Sequence, residues 1–420
     1  QPFLKGYYTM GQLLSHPLTE KTIIYNDYQL NYNPPGESHH LSAPKSHFLN
    51  RRPSSSSSTH EDAHKRSKKI NNTLSPQFFN CIGSMQGYRL TQEDAHLIAN
   101  FSNHLHIRFS NPFTKQTDHL TLALFGVFDG HGGDECSKFV SGQERADQGL
   151  SKWITYSFEN HRYGSFEDDP KQYKRLFHTL DGLISQILKD SFMLQDRELY
   201  SHFANSPCGS TGIVAVIING EKLYVANVGD SRCILSSKSK GVKNLSFDHK
   251  PQHIGELIRI NDNGGTVSLG RVGGVLALSR AFGDFQFKRG VSYTTVHGQA
   301  SRNSTPAQEA QVTVEPDVMP HQIDFSNDEF LVLACDGIWD IYSNKTLVQF
   351  IKYHLTLGLK LDEIVTKLLD HGISCADSNT GVGFDNMTVI IVVLNKPGES
   401  LAQWYSKMKT RLEREKGLMG

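Results

Sequence analysis

The sequence has no surplus of charge of either sign. Among its 420 residues, 43 lysines and arginines balance 43 aspartates and glutamates. Proteins that bind nucleic acid generally carry a basic surplus, because they must neutralise phosphate groups. The balance therefore predicts that the chain is not a general nucleic-acid binder, although it does not exclude a local basic pocket.

Long apolar runs and paired cysteines are also missing. No stretch reaches the roughly 18 consecutive apolar residues that indicate a membrane span, and the first residues lack the charged and apolar regions of a signal peptide. The six cysteines include no Cys-x-x-Cys pair, and several lie in apolar runs, as small buried side chains of a reducing compartment do. These features predict a protein without a membrane span, located in the cytoplasm, the nucleus or both.

One region has too few apolar residues to fold by itself. It begins near Tyr28 and contains the serine run Ser54–Ser58 and the basic stretch Lys65–Lys69. Without apolar side chains to bury, such a segment cannot offset the entropy that is lost on ordering. The basic stretch is typical of a solvated charged segment, and its alternatives are a nuclear signal and a phosphate-binding patch.

These changes of composition predict a folded domain that begins near Phe78. Ser292–Gln311 is a polar loop of the length that is usually functional or mobile. The C-terminal segment is charged and amphipathic, and we expect it to pack on the core rather than to bind a partner. The predicted parts are a leader (1–27), a disordered low-complexity insertion (28–77), the folded domain (78–397) with extra segments near 143–169 and 292–311, and a C-terminal helix (398–420).

Strand signals dominate the folded domain. The clearest is a hairpin in which Ile213–Ile218 and Leu223–Val228 flank Asn219-Gly220, a dipeptide suited to a type I′ turn. Apolar residues recur with helical spacing in 361–369 and in 177–200. Hairpin-linked strands with helices between them predict an α+β fold of antiparallel sheets covered by helices. The other predicted strands are 120–128, 232–235, 274–278, 330–334 and 387–394.

An apolar run ends abruptly in the sequence VFDGHGG, which places Asp129 and His131 among glycines. A turn would explain this sequence, because glycine allows positive φ angles and aspartate accepts local hydrogen bonds. A ligand site would explain it too, because glycine lets the backbone approach an ion or a phosphate. The stretch by itself leaves both interpretations open.

An apolar strand with an aspartate at its end recurs along the chain. Close carboxylates repel one another, which raises their pKa values, and a divalent cation removes that repulsion. A donor set made only of oxygen atoms suits Mg²⁺ or Mn²⁺ and not Zn²⁺, which prefers histidine and cysteine. The pattern therefore predicts a hard-metal site, provided that the fold brings the side chains together. The candidates are Glu93, Asp94, Asp129, Asp230, Asp336, Asp340 and Asp385.

The same segments resemble those of the metal-dependent serine/threonine phosphatases of type 2C, the PPM family. Nine stretches match in the family order and run from about Cys81 to Leu394, which is most of the folded chain. Met10–Lys21 resembles the N-terminal sequence that is usual in the family. The amino-acid sequence is most similar to those of fungal members. The nine stretches are GSMQGYRLTQEDAH, VFDGHGG, CGSTGIVAVI, YVANVGDSR, DHKPQHIGELIRINDNGG, RVGGVLALSRAFGDFQFK, EPDV, LVLACDGIWD and DNMTVIIVVL.

The resemblance implies two packed antiparallel sheets flanked by helices, with two Mg²⁺ or Mn²⁺ ions in a cleft at the edge of the sandwich. It makes Asp129 the carboxylate that bridges both ions and Gly130 a carbonyl ligand of one ion. It assigns Asp336 and Asp385 to the other ion. The remaining candidates are Glu93 and Asp94, which would act through bound waters, and Asp230 and Asp340, which with Asp129 would form a weaker third metal position.

The resemblance also implies a reaction, the hydrolysis of phosphoserine and phosphothreonine in phosphoproteins such as components of kinase pathways. A hydroxide shared by the two cations would attack phosphorus in line. Arg89 would bind the phosphoryl group, since a guanidinium pairs with two oxygens at once. His131 would protonate the leaving alkoxide, since imidazole titrates near neutral pH. No cysteine nucleophile is required, and the sequence has no Cys-x5-Arg loop.

The same residues allow other interpretations. Arg89 could form a surface ion pair, His131 could lie in a solvent-facing turn, and Asp94 could cap a turn. At the level of function, the alternatives are a pseudophosphatase that binds without catalysis and a two-metal nuclease. The presence of every expected carboxylate, with Arg89 and His131, favours an active phosphatase. Neutral charge and the lack of basic and aromatic stripes argue against the nuclease.

The sequence MGQLLS, Met10–Ser15, matches a myristoylation pattern in which Gly11 carries the acyl chain. The modification requires an N-terminal glycine, so this prediction applies only if translation starts at Met10. A single acyl chain gives weak and reversible membrane binding, to which Lys65–Lys69 would add attraction for anionic lipid. An accidental match is the alternative.

Overall fold

The computed structural model describes residues 13–26, 78–100, 106–143, 145, 148–161, 177–291 and 305–417. Within them, two six-stranded antiparallel sheets share one apolar core, and helices pack on the outside. The predicted α+β architecture of antiparallel sheets flanked by helices is therefore confirmed.

The first sheet contains the edge strand that the sequence analysis missed. Its strands are, in spatial order, β1 (Leu13–Asn26), β2 (Asn80–Arg89), β17 (Met387–Val393), β16 (Asp328–Ala334), β10 (Arg232–Ser237) and β11 (Gly241–Asn244). Tyr25 of β1 lies opposite Cys81 of β2, so the prediction that folding begins near Phe78 is wrong. Because β1 is largely exposed along its length and mixes apolar with polar residues, its composition did not indicate a strand.

The second sheet is buried on both faces along its central strands. Its strands are, in spatial order, β15 (Asp317–Gln322), β9 (Lys222–Val228), β8 (Gly212–Ile218), β5 (Gln116–Phe128) and β3 (Ala95–Asn100), with β4 (His106–Asn111) paired to the start of β5. Along β5, Phe125 and Val127 belong to the core shared with the first sheet. Leu122 and Leu124 belong to the core under the helices. Burial of both faces explains the continuous apolar run in the sequence.

Helices occupy both outer faces of the sandwich. Apolar residues of α1, α2 and α3 join the core behind the second sheet, and those of α6, α7 and α8 join the core of the first. In α8 the buried residues Leu401, Trp404, Met408 and Leu412 form one apolar stripe, so this helix packs on the core. The helices are α1 (Glu135–Ser141), α2 (Leu150–Asn160), α3 (Leu180–Phe203), α4 (Ile254–Asp262), α5 (Asp336–Trp339), α6 (Asn344–Thr356), α7 (Leu361–Ser374) and α8 (Leu401–Gly417).

Two turns test the local sequence predictions with opposite outcomes. Asn219 and Gly220 have φ angles of 51° and 72°, as the predicted type I′ hairpin between β8 and β9 requires. The predicted strand 274–278 is wrong. Gly273 and Gly274 have φ angles of 58° and 73°, so the chain reverses there, after the short pair β12 (Val267–Ser268) and β13 (Arg271–Val272).

A third, small sheet lies next to the loops that follow the long strands. It consists of β14 (Phe282–Gly283), β7 (Gly209–Ser210) and β6 (Gly130–His131), in that spatial order. His131 lies opposite Gly209 in one pairing, and Gly209 lies opposite Gly283 in the other. The sheet thus joins three segments that are far apart in the sequence.

The cysteines largely follow the expectation of buried thiols. Five of the six are buried and Cys375 is partly exposed, and all six are free. The Sγ atoms of Cys136 and Cys208 lie 2.7 Å apart, beside the small sheet. Among the described residues, no helix is both long enough and apolar enough to cross a membrane.

Several predictions fall on segments that the description does not cover. Gly11, residues 28–77 and residues 292–304 lie outside the described residues. The segment 143–169 is described in part, and it contributes α2, which packs against α3 and β4.

Candidate active site

Strand ends from both large sheets meet at a cleft of about 550 Å³. In the second sheet Asp129 follows β5, whereas Asp230 lies two residues after β9. In the first sheet Asp336 lies just beyond β16, and Asp385 just precedes β17. The fold therefore brings together the strand-end aspartates that the sequence singled out. Of the ten predicted site residues, the cleft is lined by Arg89, Glu93, Asp129, Gly130, His131, Asp230, Asp336 and Asp385.

Asp94 lies buried next to these cleft residues. One of its oxygens lies within 4.8 Å of an oxygen of Asp129 and of the Cys335 sulfur. Thr388 Oγ1 donates to Asp94 Oδ2 over 2.7 Å, whereas Asp94 Oδ1 is buried without a hydrogen-bond partner. Burial raises the pKa of Asp94 to about 7, and the hydrogen bond from Thr388 offsets part of the effect. A buried carboxylate oxygen without a donor is costly unless a ligand satisfies it.

Asp129 and Asp336 are the most strongly perturbed acids of the cleft. Burial, followed by the charge of Asp336, raises the pKa of Asp129 well above its usual range. Burial, followed by the charge of Asp230, raises the pKa of Asp336 in the same way. Burial is the larger cause of both pKa shifts, and the second cause is the mutual repulsion that the pattern of aspartates at strand ends predicted.

A lysine neutralises one side of the cluster. Lys250 Nζ forms an ion pair with Asp230 Oδ2. Burial opposes the charge of Lys250, but Asp230 outweighs it, so the pKa of Lys250 is raised. Burial raises the pKa of Asp340, and the nearby Lys250 reduces that shift. Lys250 could not be named from the sequence, because nothing in its spacing shows which acid it meets.

The turn at Gly130 leaves no room for a side chain. A Cβ atom at Gly130 would lie 2.4 Å from Glu93 O and 2.8 Å from Ser137 Oγ. Gly130 N donates to Glu93 O over 3.2 Å, and Thr211 N donates to Asp129 O over 2.9 Å. The sequence VFDGHGG is thus a tightly held turn whose residues also line the cleft.

Arg89 lies at the cleft and contacts one of the predicted metal ligands. Its Nη2 atom donates to Asp385 Oδ2 over 2.5 Å, and its side chain is 40% exposed. The ion pair that was the alternative interpretation of Arg89 is therefore present, but it is formed inside the cleft. The guanidinium remains accessible to a ligand that enters there.

Asn386, which the sequence did not single out, holds β2 and the segment that follows it. Its Nδ2 atom donates to Gln86 O over 2.8 Å and to Thr91 O over 3.0 Å. Its Oδ1 atom accepts from Glu93 N over 3.0 Å. Asn386 thereby fixes the backbone of Glu93 relative to Asp385, and only its position beside Asp385 in the sequence hints at this role.

His131 has a buried acidic partner. Its Nε2 atom lies 2.7 Å from Oδ2 of Asp284. Burial disfavours the charged imidazole, but the charge of Asp284 and this hydrogen bond outweigh it and raise the pKa of His131. Asp284 belongs to the stretch AFGDFQFK, which the sequence analysis quoted without giving the aspartate a role.

Comparison with known sequences agrees with this geometry. The family model described as Protein phosphatase 2C matches residues 81–381. Protein phosphatase 2C homolog 4 of Saccharomyces cerevisiae is 61% identical over 430 aligned positions, which cover 98% of this chain and 100% of that protein. Protein phosphatase 2C homolog 2 of Schizosaccharomyces pombe is 36% identical, with 80% of this chain and 78% of that protein covered. The predicted resemblance to fungal members is confirmed.

Solved structures show the same fold at low sequence identity. A sex-determining protein of Caenorhabditis elegans matches 80% of this chain and 68% of its own, with a TM-score of 0.54 at 23% identity. A phosphatase of Toxoplasma gondii matches 76% of this chain and 93% of its own, with a TM-score of 0.54 at 22% identity. Fold, cleft and sequence thus agree, and the chain belongs to the protein phosphatase 2C family.

Proposed function

We propose that the protein hydrolyses phosphoserine and phosphothreonine in phosphoproteins, with Mg²⁺ or Mn²⁺ bound in the cleft. The observation that carries the proposal is the cluster of the buried Asp94 with the partly buried Asp129 and Asp336, whose pKa values are all raised. Arg89 and His131 line the same cleft, so groups for anion binding and proton donation stand beside the cluster.

The donors in the cleft fit hard cations. They are carboxylate oxygens and the backbone of Gly130, and Asp94 Oδ1 is buried without a partner. Burial raises the pKa of the Cys335 thiol well above its usual range, so this neighbour stays protonated and is a poor ligand. We assign Asp129, Gly130, Asp336 and Asp385 to direct contacts with two ions. Glu93 and Asp94 would contact the ions through bound water. Asp230 and Asp340 would belong to a weaker third metal position.

The chain's own residues then divide the work of the reaction. When bound, the cations would neutralise the carboxylates and activate a water for attack on phosphorus. Arg89 binds the phosphoryl oxygens through its forked guanidinium and orients the group. His131 gives its proton to the serine or threonine oxygen as that oxygen leaves. Asn386 keeps the backbone of Glu93 in place.

The walls of the cleft suit a peptide rather than a small phosphate ester. Arg271, Leu276 and Phe287 line it on the side of the turn at Gly273. Apolar and basic groups next to the phosphate site would contact the residues that flank a phosphoserine. We therefore propose phosphoproteins, such as components of kinase pathways, as substrates.

Location and membrane attachment are part of the same proposal. The free cysteines and the lack of a long apolar run favour the cytoplasm or the nucleus. Acylation of Gly11 would add a weak membrane anchor, and intact mass of the protein from its native source tests it. An unmodified Gly11, or an N-terminus upstream of Met10, would end that idea.

One set of assays separates phosphatase, pseudophosphatase and nuclease. The protein is incubated with a phosphothreonine peptide and with single-stranded DNA, each with Mn²⁺ and each with excess EDTA. We expect phosphate release from the peptide with Mn²⁺ alone and no cleavage of DNA. Binding of the peptide without turnover would support the pseudophosphatase, and cleavage of DNA would support the nuclease. Full phosphatase activity in EDTA would contradict the metal-dependent mechanism.

A further inference from the structure

The small sheet of β6, β7 and β14 brings together His131 and Asp284, which are 153 residues apart in the sequence. Gly209 in the middle strand pairs with His131 on one side and with Gly283 on the other. Asp284 N then donates to Cys208 O over 3.0 Å. The sheet therefore fixes the backbone on both sides of the His131–Asp284 contact.

The contact is enclosed and its geometry is demanding. Asp284 is 1% exposed, and its φ angle of 52° lies in the left-handed region, which is uncommon for aspartate. A Cβ atom at Gly209 would lie 2.1 Å from Asp284 Oδ2 and 2.4 Å from His131 Nε2. Glycine at this position is therefore required for the two side chains to meet.

A buried ion pair anchors the turn that carries Asp284. Gly283 N donates to Asp196 Oδ1 over 2.8 Å. Lys288 Nζ donates to both oxygens of Asp196, at 3.0 and 2.9 Å, and to Ala281 O at 2.9 Å. Asp196 and Lys288 are both buried. The chain is thus held before and after Asp284, so the carboxylate has little freedom to turn away.

One nitrogen of the His131 ring has a hydrogen-bond partner among the described residues. Nε2 faces Asp284, whereas Nδ1 has no hydrogen bond to the described residues. The side chain is 26% exposed and lines the cleft. Nδ1 is therefore the nitrogen that is free to face a substrate.

We propose that Asp284 is the positioning residue of His131, holding Nε2–H so that Nδ1–H is directed at the leaving oxygen. The inference rests on the proposed phosphatase function. During the reaction the Nδ1–H bond breaks, the serine or threonine oxygen gains the proton, and Nε2–H stays bonded to Asp284. Asp284 itself neither gains nor loses a proton. A second histidine–aspartate pair, His321 with Asp328, has the same 2.7 Å separation but does not line the cleft.

The test compares two substrates that differ in their need for a proton. A phosphothreonine peptide has an alkoxide leaving group, whereas the leaving group of p-nitrophenyl phosphate needs no proton. We expect Asp284→Ala to lower kcat on the peptide about 10–100-fold, with little change in KM and a much smaller loss on p-nitrophenyl phosphate. Asp284→Asn should keep part of the activity, because its side-chain oxygen still accepts from Nε2–H. The matched control, Asp328→Asn, should change neither rate.

Two further variants show whether Asp284 acts through His131. In a His131→Gln background, Asp284→Ala should cause no further loss on the peptide, because the positioned group is already gone. Gly209→Ala should reproduce the substrate-selective loss without removing the carboxylate. It also provides a readout if Asp284→Ala does not fold, as judged by circular dichroism.

The outcomes separate this inference from the proposed function. Equal losses on both substrates, additive effects of Asp284→Ala and His131→Gln, or an Asp284→Ala kcat within twofold of wild type would overturn the positioning role. In those cases an active wild-type enzyme would leave the phosphatase proposal standing. A wild-type protein that does not hydrolyse the peptide with Mn²⁺ would overturn the proposed function instead.

Discussion

Acids in two regions of this molecule, each buried or partly buried, have opposite surroundings. In the cleft, Asp94, Asp129 and Asp336 lie close to one another and their pKa values are raised. Within α4, Glu256 is also buried, yet its pKa is lowered to about 2. Burial alone raises the pKa of any carboxyl. The difference therefore comes from the neighbours of each acid.

The α4 acid is surrounded by donors. Arg280 Nε lies 3.1 Å from both oxygens of Glu256, and Arg280 Nη2 lies 2.7 Å from Oε1. Arg259 Nη1 donates to Oε2 over 2.9 Å. Asp317 accepts from Arg280 over 2.8 Å and contacts His249 over 3.1 Å. The charges of this network balance within the protein.

The comparison separates acids that stabilise the fold from acids that await a ligand. The α4 network joins α4, β15 and the segment before β14, and it needs no partner from solution. The cleft acids have too few counter-charges, although Lys250 and Arg89 each meet one of the surrounding aspartates. A group of carboxylates arranged in this way lowers stability until cations bind.

Asp336→Asn is the strongest test of this difference. We expect kcat on a phosphothreonine peptide to fall about 10³-fold, since a group that supports charge in the transition state is lost. The free energy of unfolding in EDTA should not fall, because one repelling carboxylate is removed. A variant within tenfold of wild type would show that Asp336 does not bind a metal ion.

Glu256→Gln should have the opposite effects, because it should lower the stability of the fold and leave kcat nearly unchanged. Loss of its charge leaves Arg259 and Arg280 buried without a matched partner, and we expect the free energy of unfolding to fall by about 3 kcal/mol. Denaturant unfolding followed by circular dichroism measures this change. At a temperature where the variant is folded, kcat should stay within a few fold of wild type. Unchanged stability would contradict the role given to the network.

Arg89→Ala tests the cleft at a position that is only part-buried. We expect KM for the phosphopeptide to rise about tenfold with a smaller change in kcat, because a phosphate clamp binds substrate and transition state alike. Arg89→Lys keeps the charge but lacks the planar fork, so its KM should lie between those of wild type and Arg89→Ala. A loss confined to kcat would assign Arg89 to the chemical step.

The pH dependence of stability gives a smaller effect with a defined sign. The pKa of Glu256 falls from 4.5 in the unfolded chain to about 2 in the fold. Its contribution is therefore complete above pH 4.5 and is lost as the pH falls towards 2. Between pH 5 and 4 the stability gap between wild type and Glu256→Gln should shrink by about 0.7 kcal/mol. A gap that widens over this range would contradict the lowered pKa.

The sequence predicted the parts of the fold that depend on local pattern. The Asn219-Gly220 hairpin and the apolar spacing of α7 are local signals, and both elements form as expected. At 274–278 apolar residues suggested a strand, but two adjacent glycines turn the chain instead. β1 was missed because this exposed edge strand is held by hydrogen bonds to its neighbour, and its own mix of apolar and polar residues has no clear strand pattern.

The site was predictable only in part for a related reason. An aspartate that follows or precedes an apolar run can be recognised in the sequence, so the candidate metal-binding residues could be predicted. The partners of these residues could not, because Asp284, Asn386 and Lys250 gain their roles from contacts made after folding. The sequence shows which residues carry a charge, whereas the topology of the sheets determines which neighbour neutralises that charge.

Cation-dependent stability tests the central claim most directly. The free energy of unfolding is measured for wild type and for Asp336→Asn, each in excess EDTA and each in saturating Mn²⁺. The account predicts that Mn²⁺ stabilises the wild type by about 3 kcal/mol at a hundredfold excess over its dissociation constant, and stabilises Asp336→Asn far less. Equal stability of the wild type in Mn²⁺ and in EDTA would contradict the assignment of the cleft acids to a metal site.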